Sequence, residues 1–262
     1  MPYIRNFAFR FNLLFLVFMK KINLSLFFLF IFGQLSPVFS QIGTFYSTDK
    51  ELSNSLINTI YQDRRNYIWI ATEDGLNKYD GVKFTTYKNI KGNPRTIKNN
   101  YVRTLFEDSS GRFWIGCING LMLYHRVNDT FEEVKLYKNN VNIEPHITSI
   151  IESNTHQIWI ATDQGLLIVD SNKESYHINS KFSGLLNSNS LVAVFQDSRK
   201  DFWILSDDQG LNRYSPTTKK LYSYTSPTQI GSNQTSAICE DHLGNIFVGT
   251  LTSGLFKFWK YI

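Results

Sequence analysis

The sequence predicts an all-β protein, a β-propeller of four-stranded antiparallel blades, with five repeats present. The first observation behind this prediction is an aromatic residue that returns at intervals of 45, 45, 44 and 44 residues, at Trp69, Trp114, Trp159, Trp203 and Phe247. The second is that each repeat holds short apolar and β-branched runs separated by turn-forming residues. The third is that this region has no sustained apolar period of 3.6 residues, so we expect almost no helix. A period in the forties of strand-rich sequence is typical of propeller blades.

The first repeat illustrates the strand prediction. Four strands are expected, at residues 56–62, 67–72, 76–80 and 84–88, because turn-forming runs lie between them. The recurrent aromatic residue falls in the second strand, where a large ring fills the wedge between neighbouring blades. An Asp or Ser ends each first strand and is expected to cap the following turn through its side-chain oxygen, at Asp63, Asp108, Ser153, Asp197 and Asp241.

A Gly-Leu pair follows the second strand in every repeat. The glycines are spaced by 45, 45, 45 and 44 residues, at Gly75, Gly120, Gly165, Gly210 and Gly254. We expect each of them to close a tight turn at positive φ, where glycine has no steric cost. The repeated aromatic residues and these glycines are therefore predicted to form the structural core of the repeat.

The repeats occupy residues 42–262. The predicted units lie near 55–98, 99–145, 146–189, 190–233 and 234–262. Residues 43–48 resemble a fourth strand and are expected to act as a clasp that completes another blade. The count of five leaves two arrangements open, a closed five-bladed ring or part of a seven-bladed propeller, which would need roughly 315 residues.

The amino terminus reads as an export signal. Lys20 and Lys21 precede an apolar run that ends near Ser40, which is the layout of a secretory signal peptide. Residues 1–40 are therefore predicted to be a signal region with its true start at Met19. An uncleaved membrane anchor is the alternative. In both cases the repeats are expected to be exported to the periplasm, or to the periplasmic side of the inner membrane.

Charge and cysteine content exclude several classes of protein. The chain has 27 Lys+Arg and 22 Asp+Glu, but residues 1–41 carry four of the bases and none of the acids. The repeats are therefore close to neutral, which argues against a nucleic-acid partner. Two cysteines exclude a disulfide-dense scaffold and a four-cysteine zinc site. We expect no metal and no cofactor.

The repeat motif resembles the two-component regulator propeller family. Its pattern is Ile-Trp-Ile-Ala-Thr-x-x-Gly-Leu-x-x-Tyr-Asp, followed by Phe-x-x-Tyr, and it is seen in full at residues 68–87. The third copy departs from it with Val169, where Tyr is usual, and the fifth copy with Phe247. Members of this family form the periplasmic part of hybrid two-component sensor histidine kinases in Bacteroidetes-type bacteria, and many of them detect products of polysaccharide breakdown.

The resemblance implies a ligand-sensing propeller without catalytic activity, which binds a glycan or oligosaccharide. Such sensors carry further propeller, immunoglobulin-like and kinase domains. The sequence is therefore expected to be an amino-terminal sensor fragment that lacks the kinase, is no enzyme by itself, and has a membrane-anchored sensor as a partner.

The loops between blades are the expected recognition surface, because they vary while the strands keep register. Polar side chains in these loops and in the turns between second and third strands suit a hydroxyl-rich ligand. The candidate ligand-binding residues are Asp74, Asn93, Asn119, Gln164, Asn187 and Gln209. No catalytic residue is predicted.

Two other functions remain open at this point. A secreted carbohydrate-active enzyme would need two or three carboxylates at the mouth of the axial channel, and Glu73, Asp74, Asp163, Asp207 and Asp208 are the candidates. A periplasmic interaction scaffold would self-associate through exposed blade edges.

Overall fold

The computed structural model describes residues 43–48, 51–138, 141–169, 176–177, 185–186, 188–226 and 229–259. All regular secondary structure in these residues is β-strand, so the predicted all-β class is confirmed. No helix able to cross a membrane occurs among them. The chain divides into two compact units, residues 1–45 and 46–262, and all strands lie in the second. The predicted signal region, with the proposed start at Met19, falls outside the described residues.

The first two blades are complete four-stranded meanders. Every neighbouring pair of strands in them is antiparallel. The first blade consists of β1 (Ile57–Gln62), β2 (Ile68–Thr72), β3 (Gly75–Tyr79) and β4 (Phe84–Tyr87). The second consists of β5 (Val102–Glu107), β6 (Phe113–Cys117), β7 (Gly120–His125) and β8 (Thr130–Val134). The four strands of the first blade begin and end within one residue of the bounds expected from the sequence.

An additional small sheet interrupts the series after the second blade. It contains the hairpin β9 (Leu136–Lys138) and β10 (Val141–Ile143), in a region that the sequence predicted to be a loop. The third blade then has β11 (Ile147–Glu152), β12 (Ile158–Thr162) and β13 (Gly165–Val169). β14 (Tyr176–His177) pairs in parallel with β9 and not with β13. Within the described residues the third blade therefore has three strands.

The last two blades repeat the same order. The fourth consists of β15 (Leu191–Gln196), β16 (Phe202–Ser206), β17 (Leu211–Ser215) and β18 (Lys220–Tyr224). The fifth has β19 (Thr235–Glu240), β20 (Ile246–Thr250) and β21 (Leu255–Phe258). The first strands of consecutive blades lie side by side. The Thr59 hydroxyl donates to the Arg103 carbonyl oxygen at 2.8 Å, and the Thr148 hydroxyl donates to the Leu191 carbonyl oxygen at 2.8 Å.

Four hydrophobic clusters lie between the five blades. Trp69 packs against Phe113 and Tyr124 of the second blade, with ring centroids 4.8 Å apart in both pairs. Trp114 belongs to the cluster shared with the third blade, Trp159 to the one shared with the fourth, and Trp203 to the one shared with the fifth. Each ring covers the next blade, and all four are buried. Packing between blades is thus carried by one position of the repeat.

The aspartate that ends the first strand has two roles, of which the sequence predicted one. Asp63 Oδ1 accepts the backbone N–H groups of Arg65 and Tyr67, which is the expected turn cap. Its Oδ2 accepts the indole N–H of Trp69 at 2.9 Å. The same aspartate–tryptophan bond recurs at 2.8 Å for Trp114 and at 2.9 Å for Trp203. In the fifth blade, which has Phe247, the Asn245 side chain donates to Asp241 Oδ2 instead.

A polar bond also joins each blade to the next. The acceptor is the side chain of the last residue in the first strand of one blade. The donor is a backbone N–H in the turn after the first strand of the preceding blade. The acceptors are Glu107 for Arg64, Glu152 for Ser109, Gln196 for Asn154 and Glu240 for Ser198, at 2.8, 2.6, 2.8 and 2.8 Å. We name these four bonds the interblade bonds. The sequence predicted the caps within each turn but not these bonds, in which Glu107, Glu152 and Glu240 bind across the interface.

The turn glycines all have positive φ. At Gly210 the conformation coincides with close packing, because a Cβ would lie 2.4 Å from the Tyr224 carbonyl oxygen. A hydroxyl at the end of the second strand also bonds to the turn glycine. In the first blade the Thr72 hydroxyl donates to the Gly75 carbonyl oxygen at 2.8 Å. Cys117 takes the place of that hydroxyl in the second blade. It is buried, and burial raises its pKa to about 12. Cys239 is a second free thiol and is exposed.

The outward faces of the first and fifth blades differ from the four internal interfaces. Ile60 in β1 is 64% exposed, although its counterparts Leu105, Ile150 and Val194 are at most 5% exposed. Leu255 and Trp259 of the fifth blade are each 67% exposed. Residues 43–48, expected to add a strand, contain none. Tyr46 packs instead on Tyr79 and Phe84, with centroids 5.6 and 5.1 Å apart.

Candidate ligand-binding site

The loops that link blades are tied to the turns between second and third strands. The Gly75 N–H donates to the Asn100 carbonyl oxygen at 2.7 Å, and the Gly210 N–H donates to that of Asn233 at 2.8 Å. Ile97 and Ile230 are the fully buried residues of these two linkers. The two kinds of loop therefore share one face of the repeat unit, which we name the loop face.

A cavity lies beside the first of these linkers. It has a volume of about 860 Å³, between residues 89–98 and the outer strands of the second blade. This volume is within the range of small-molecule sites. The Phe131 N–H of β8 donates to the Arg95 carbonyl oxygen at 2.9 Å, so the linker is held to the edge of the second blade. We name this cavity the linker cavity.

The linker keeps its shape through its own side chains. The Asn89 amide donates to the carbonyl oxygens of Ile97 and Lys98, at 2.8 and 3.0 Å. The Ile90 N–H donates to the Thr96 hydroxyl at 3.1 Å. Asn93 Oδ1 accepts the Arg95 N–H at 3.0 Å. The rim of the cavity is thus preformed, which lowers the entropic cost of binding a ligand.

Paired charges line the cavity where the end of the linker meets the second blade. Lys98 Nζ lies 2.5 Å from a Glu133 carboxylate oxygen and 2.9 Å from one of Glu144. Burial lowers the pKa of Lys98, but the bonds to Glu133 and Glu144 outweigh it and the pKa is raised. His125 contacts Glu132 at 2.6 Å. The buried Phe131 and Met122 complete the lining with apolar surface.

Two cations on the rim are not used by the protein. Lys91 and Arg95 are exposed, and their side chains have no ion-pair partner among the described residues. The linker cavity therefore offers free cationic donors on one side and carboxylate acceptors on the other. Such a set of donors and acceptors can bind a polar, hydroxyl-bearing ligand.

Only one of the predicted ligand-binding residues lies in this cavity. Asn93 lines it, whereas Asp74, Asn119, Gln164 and Gln209 lie in turns of four different blades. Asn187 is outside the described residues. The predicted residues therefore share the loop face but do not form one pocket.

The four turn residues have different local roles. Asp74 accepts from Lys88 at 2.6 Å and from the Asn100 amide at 2.9 Å. The Gln164 carbonyl oxygen accepts from Lys138 Nζ, and the Gln209 N–H donates to the Ser206 hydroxyl. Asn119 Oδ1 is buried and has no hydrogen-bond partner within the described part of the chain.

Sequence reasoning missed the cavity residues Lys98, His125, Glu132 and Glu133. The strands that carry His125, Glu132 and Glu133 were expected from the repeat, but the repeat motif drew attention to shared positions and away from positions that differ between copies. His125 and Glu133 occupy such variable positions. The available signal was the length of the first linker, which is long enough to fold back on the blade.

The carboxylates considered for catalysis have separate surroundings. Glu73 accepts from the Tyr101 hydroxyl, Asp163 from the His146 N–H and Asp207 from the Ser190 hydroxyl. The hydrogen bond from Lys88 lowers the pKa of Asp74, whereas a catalytic acid needs a raised value. Among the described residues, no group of three or more His, Cys, Asp and Glu side chains is placed to hold a metal ion.

Comparisons with known proteins connect this fold to sensors. Residues 51–74 and 96–119 match the family model described as two component regulator propeller. No curated protein matches the chain. The extracellular domain of BT3049, described as a hybrid two component system of B. thetaiotaomicron, is 25% identical, with a TM-score of 0.71 over 82% of this chain and 30% of that one.

Two further solved structures share the fold. The extracellular domain of BT4673, a second such system of B. thetaiotaomicron, is 18% identical, with a TM-score of 0.70 over 82% of this chain and 31% of that chain. Virginiamycin B lyase from Staphylococcus aureus is 14% identical, with a TM-score of 0.57 over 79% of this chain and 72% of the lyase. At these identities the likeness concerns the fold alone.

The chain spans about a third of the length of the two sensor domains that it matches. The whole activity of those proteins therefore does not transfer to it. The sequence match and the shared architecture agree, and the resemblance recognised from the repeat motif is confirmed: two segments of this chain match the two component regulator propeller, and the chain is similar to the extracellular domain of a hybrid two-component system.

Proposed function

We propose that the chain is the exported, ligand-sensing propeller of a two-component sensor, and that it binds an oligosaccharide without transforming it. The observation that carries this proposal is the match of its repeats to the two-component regulator propeller, together with the likeness to an extracellular sensor domain. The partner would be a membrane-anchored sensor that transmits the binding event. The proposal concerns the sensing step alone.

The linker cavity is the site at which we place the oligosaccharide. Its volume of about 860 Å³ is sufficient for two or three sugar rings, given that sites for drug-sized ligands have about 300–1,000 Å³. Lys91, Arg95 and Asn93 can donate to hydroxyl or ring oxygens, and the carboxylates of Glu132 and Glu133 can accept from hydroxyls. The exposed side chain of Ile90 can cover an apolar sugar face.

The test starts with a glycan array probed with the purified protein. We then expect the oligosaccharide that binds best to raise the melting temperature of the protein, because a ligand of the folded state stabilises it. The double variant Lys91→Ala/Arg95→Ala should lose this shift. The matched control Lys83→Ala/Lys220→Ala removes two exposed lysines away from the cavity and should keep it. Equal shifts in both variants would show that the ligand does not bind in the linker cavity.

Mass spectrometry of the bound oligosaccharide separates the sensor from the enzyme. After prolonged incubation we expect the oligosaccharide to be recovered intact. A shortened or modified product would contradict the proposal and favour a carbohydrate-active enzyme.

A second candidate function is supported by the exposed faces of the first and fifth blades. Two residues stand at repeat positions that are buried in the internal interfaces, namely Ile60 and Leu255, and Trp259 lies next to these positions. Each of the three is more than 60% exposed. Such apolar surface favours contact with another protein or with a second copy. Light scattering at increasing concentration measures this, and Ile60→Lys should lower the observed mass if the first blade takes part.

A further inference from the structure

Two clefts of the molecule occupy the same position in different repeats. One lies between the first and second blades and has a volume of about 410 Å³, and the other lies between the third and fourth blades and has about 490 Å³. Both are bounded by the turn after the first strand of one blade and by the end of the third strand of the next. Both therefore open on the face opposite the loop face. We name them the first and the second cleft.

The repeat alignment shows how the linings differ. Arg64 and Arg65 in the first cleft correspond to Asn154 and Thr155 in the second. Arg126 in the first cleft corresponds to Pro216 in the second. At these three positions the first cleft therefore carries arginines and the second carries neutral side chains. The cation that lines the second cleft is Lys200, which stands where the first cleft has Gly111.

Two of the arginines in the first cleft are neutralised by the protein. Arg112 Nε lies 2.6 Å from Asp108 Oδ2. Arg126 Nη2 lies 3.0 Å from Glu107 Oε1 and 3.5 Å from Asp63 Oδ2. Both oxygens of Glu107 are occupied, because Oε2 accepts the Arg64 backbone N–H. Three buried carboxylates therefore face the two inner arginines.

The two outer arginines have no carboxylate partner among the described residues. Arg64 Nη1 donates to the Ser109 carbonyl oxygen at 2.9 Å instead. The guanidinium of Arg65 is exposed and has no partner within the described part of the chain. In addition, Arg126 Nε is buried without a hydrogen-bond partner among these residues. Four guanidinium groups thus meet three carboxylates, and the excess positive charge is at the mouth of the cleft.

We propose that the first cleft binds the oxyanion group of a small ligand, a sulfate, phosphate or carboxylate. Arg64 and Arg65 hold the anion from the solvent side, since a planar guanidinium donates paired hydrogen bonds to such groups. The inner ion pairs keep the walls in place. The second cleft has the same frame but lacks these guanidinium groups, and its lining cation, Lys200, cannot donate the paired, planar hydrogen bonds of an arginine. This inference is independent of the oligosaccharide site.

The experiment exchanges the lining of one cleft for that of the other. The double variant Arg64→Asn/Arg65→Thr installs the residues that the second cleft carries at the same positions. Its control, Lys83→Asn/Lys220→Thr, removes the same charge from exposed sites outside both clefts. Isothermal titration with inorganic sulfate, inorganic phosphate and glucuronate measures binding to each purified protein, and circular dichroism verifies the fold.

We expect saturable binding of at least one of these probes to the original protein and to the control. The exchange variant should bind at least about tenfold more weakly, because it loses one or more charge-assisted hydrogen bonds to the anion. Binding of sulfate and phosphate would identify a general oxyanion site, and binding of glucuronate alone would identify a site for a sugar carboxylate. Absence of saturable binding by all three probes, or equal binding by the exchange variant, would overturn the proposal.

Discussion

The second and fifth blades have the same repeat but differ in what covers their outward faces. In the second blade Trp114 is fully buried, and its indole N–H is bound by Asp108. In the fifth blade Phe247 stands at this position and is only half-buried, beside Lys257 and the exposed Trp259. Asp241 binds Asn245 in place of an indole. The local geometry is kept, although the interface is not.

This difference shows which part of the repeat depends on neighbours. Strand pairing and turn caps form inside one blade, so they are the same wherever the motif occurs. Burial of the aromatic face needs the next blade, since a single twisted sheet covers neither of its own sides. How much a repeat position contributes to the free energy of unfolding therefore depends on whether another blade packs against it.

The largest expected effect is the removal of an internal ring. Trp114→Ala should lower the free energy of unfolding by about 3–5 kcal/mol, because the cavity cannot be refilled between two packed sheets. Phe247→Ala should cost less, about 1–2 kcal/mol, since part of that ring is already in contact with solvent and no further blade among the described residues packs against it. Urea denaturation of both variants tests the difference. Equal losses would mean that the fifth blade is covered in solution.

The second-largest loss of stability is expected at the aspartate that accepts the indole N–H. Asp108→Ala removes the acceptor for the Trp114 indole and for two turn N–H groups, which should cost about 2–3 kcal/mol. Asp241→Ala should cost less, because Asp241 is only partly buried whereas Asp108 is fully buried. The control Asp108→Asn keeps one acceptor oxygen and should recover part of the loss. A larger effect at Asp241, measured by urea denaturation, would contradict the comparison.

The turn glycines provide a third test. Gly210→Ala places a Cβ 2.4 Å from the Tyr224 carbonyl oxygen at a φ of 84°, and should cost about 2–3 kcal/mol. Gly254→Ala has a similar φ of 76° but no atom within 4 Å, so only the backbone cost of about 1 kcal/mol remains. Thermal unfolding of the two variants separates steric from conformational cost. Similar melting temperatures would assign the whole effect to φ.

The smallest effect concerns the interblade bonds. Burial raises the pKa of Glu152, but its bonds to Ser109 and His156 outweigh this and the pKa is lowered below 4.5. A lowered folded-state pKa contributes stability above the unfolded value, and that stability is lost as the pH falls through the folded value. Glu152→Gln should therefore flatten the decline of the urea midpoint between about pH 5 and pH 3.

Gln196 is the natural counterpart of that variant, because it makes the same interblade bond with a group that does not titrate. Gln196→Ala serves as the control. It should lower stability equally at both pH values, so a pH-dependent loss at this position would contradict the assignment to Glu152.

Much of the fold could be predicted from the sequence, because strand pairs and turns depend on nearby residues. The strands of the first blade and the positive φ of Gly75 follow from local alternation and turn chemistry. The hairpin at 136–143 was missed because its short strands lie in a polar segment. The indole bonds of Asp63, Asp108 and Asp197 were missed because a cap and a tryptophan six residues apart are not neighbours along a strand.

The candidate sites were less predictable, since they combine residues from different blades. Asn93 was named, yet Lys98 and Glu133 are 35 residues apart and meet only when the linker folds back on the second blade. The four arginines of the first cleft come from three turns, and the pairing of the two inner ones with Asp63, Glu107 and Asp108 cannot be seen in the repeat pattern.

The repeat, its strands, its turns and the family that the motif resembles follow from the order of the residues alone. These depend on interactions within about forty residues, which periodicity records directly. Only the tertiary structure decided which aromatic rings are covered, which carboxylates neutralise which arginines, and where cavities remain. Those properties arise when one blade is placed against another, and the repeat pattern carries no record of the side chains that meet there.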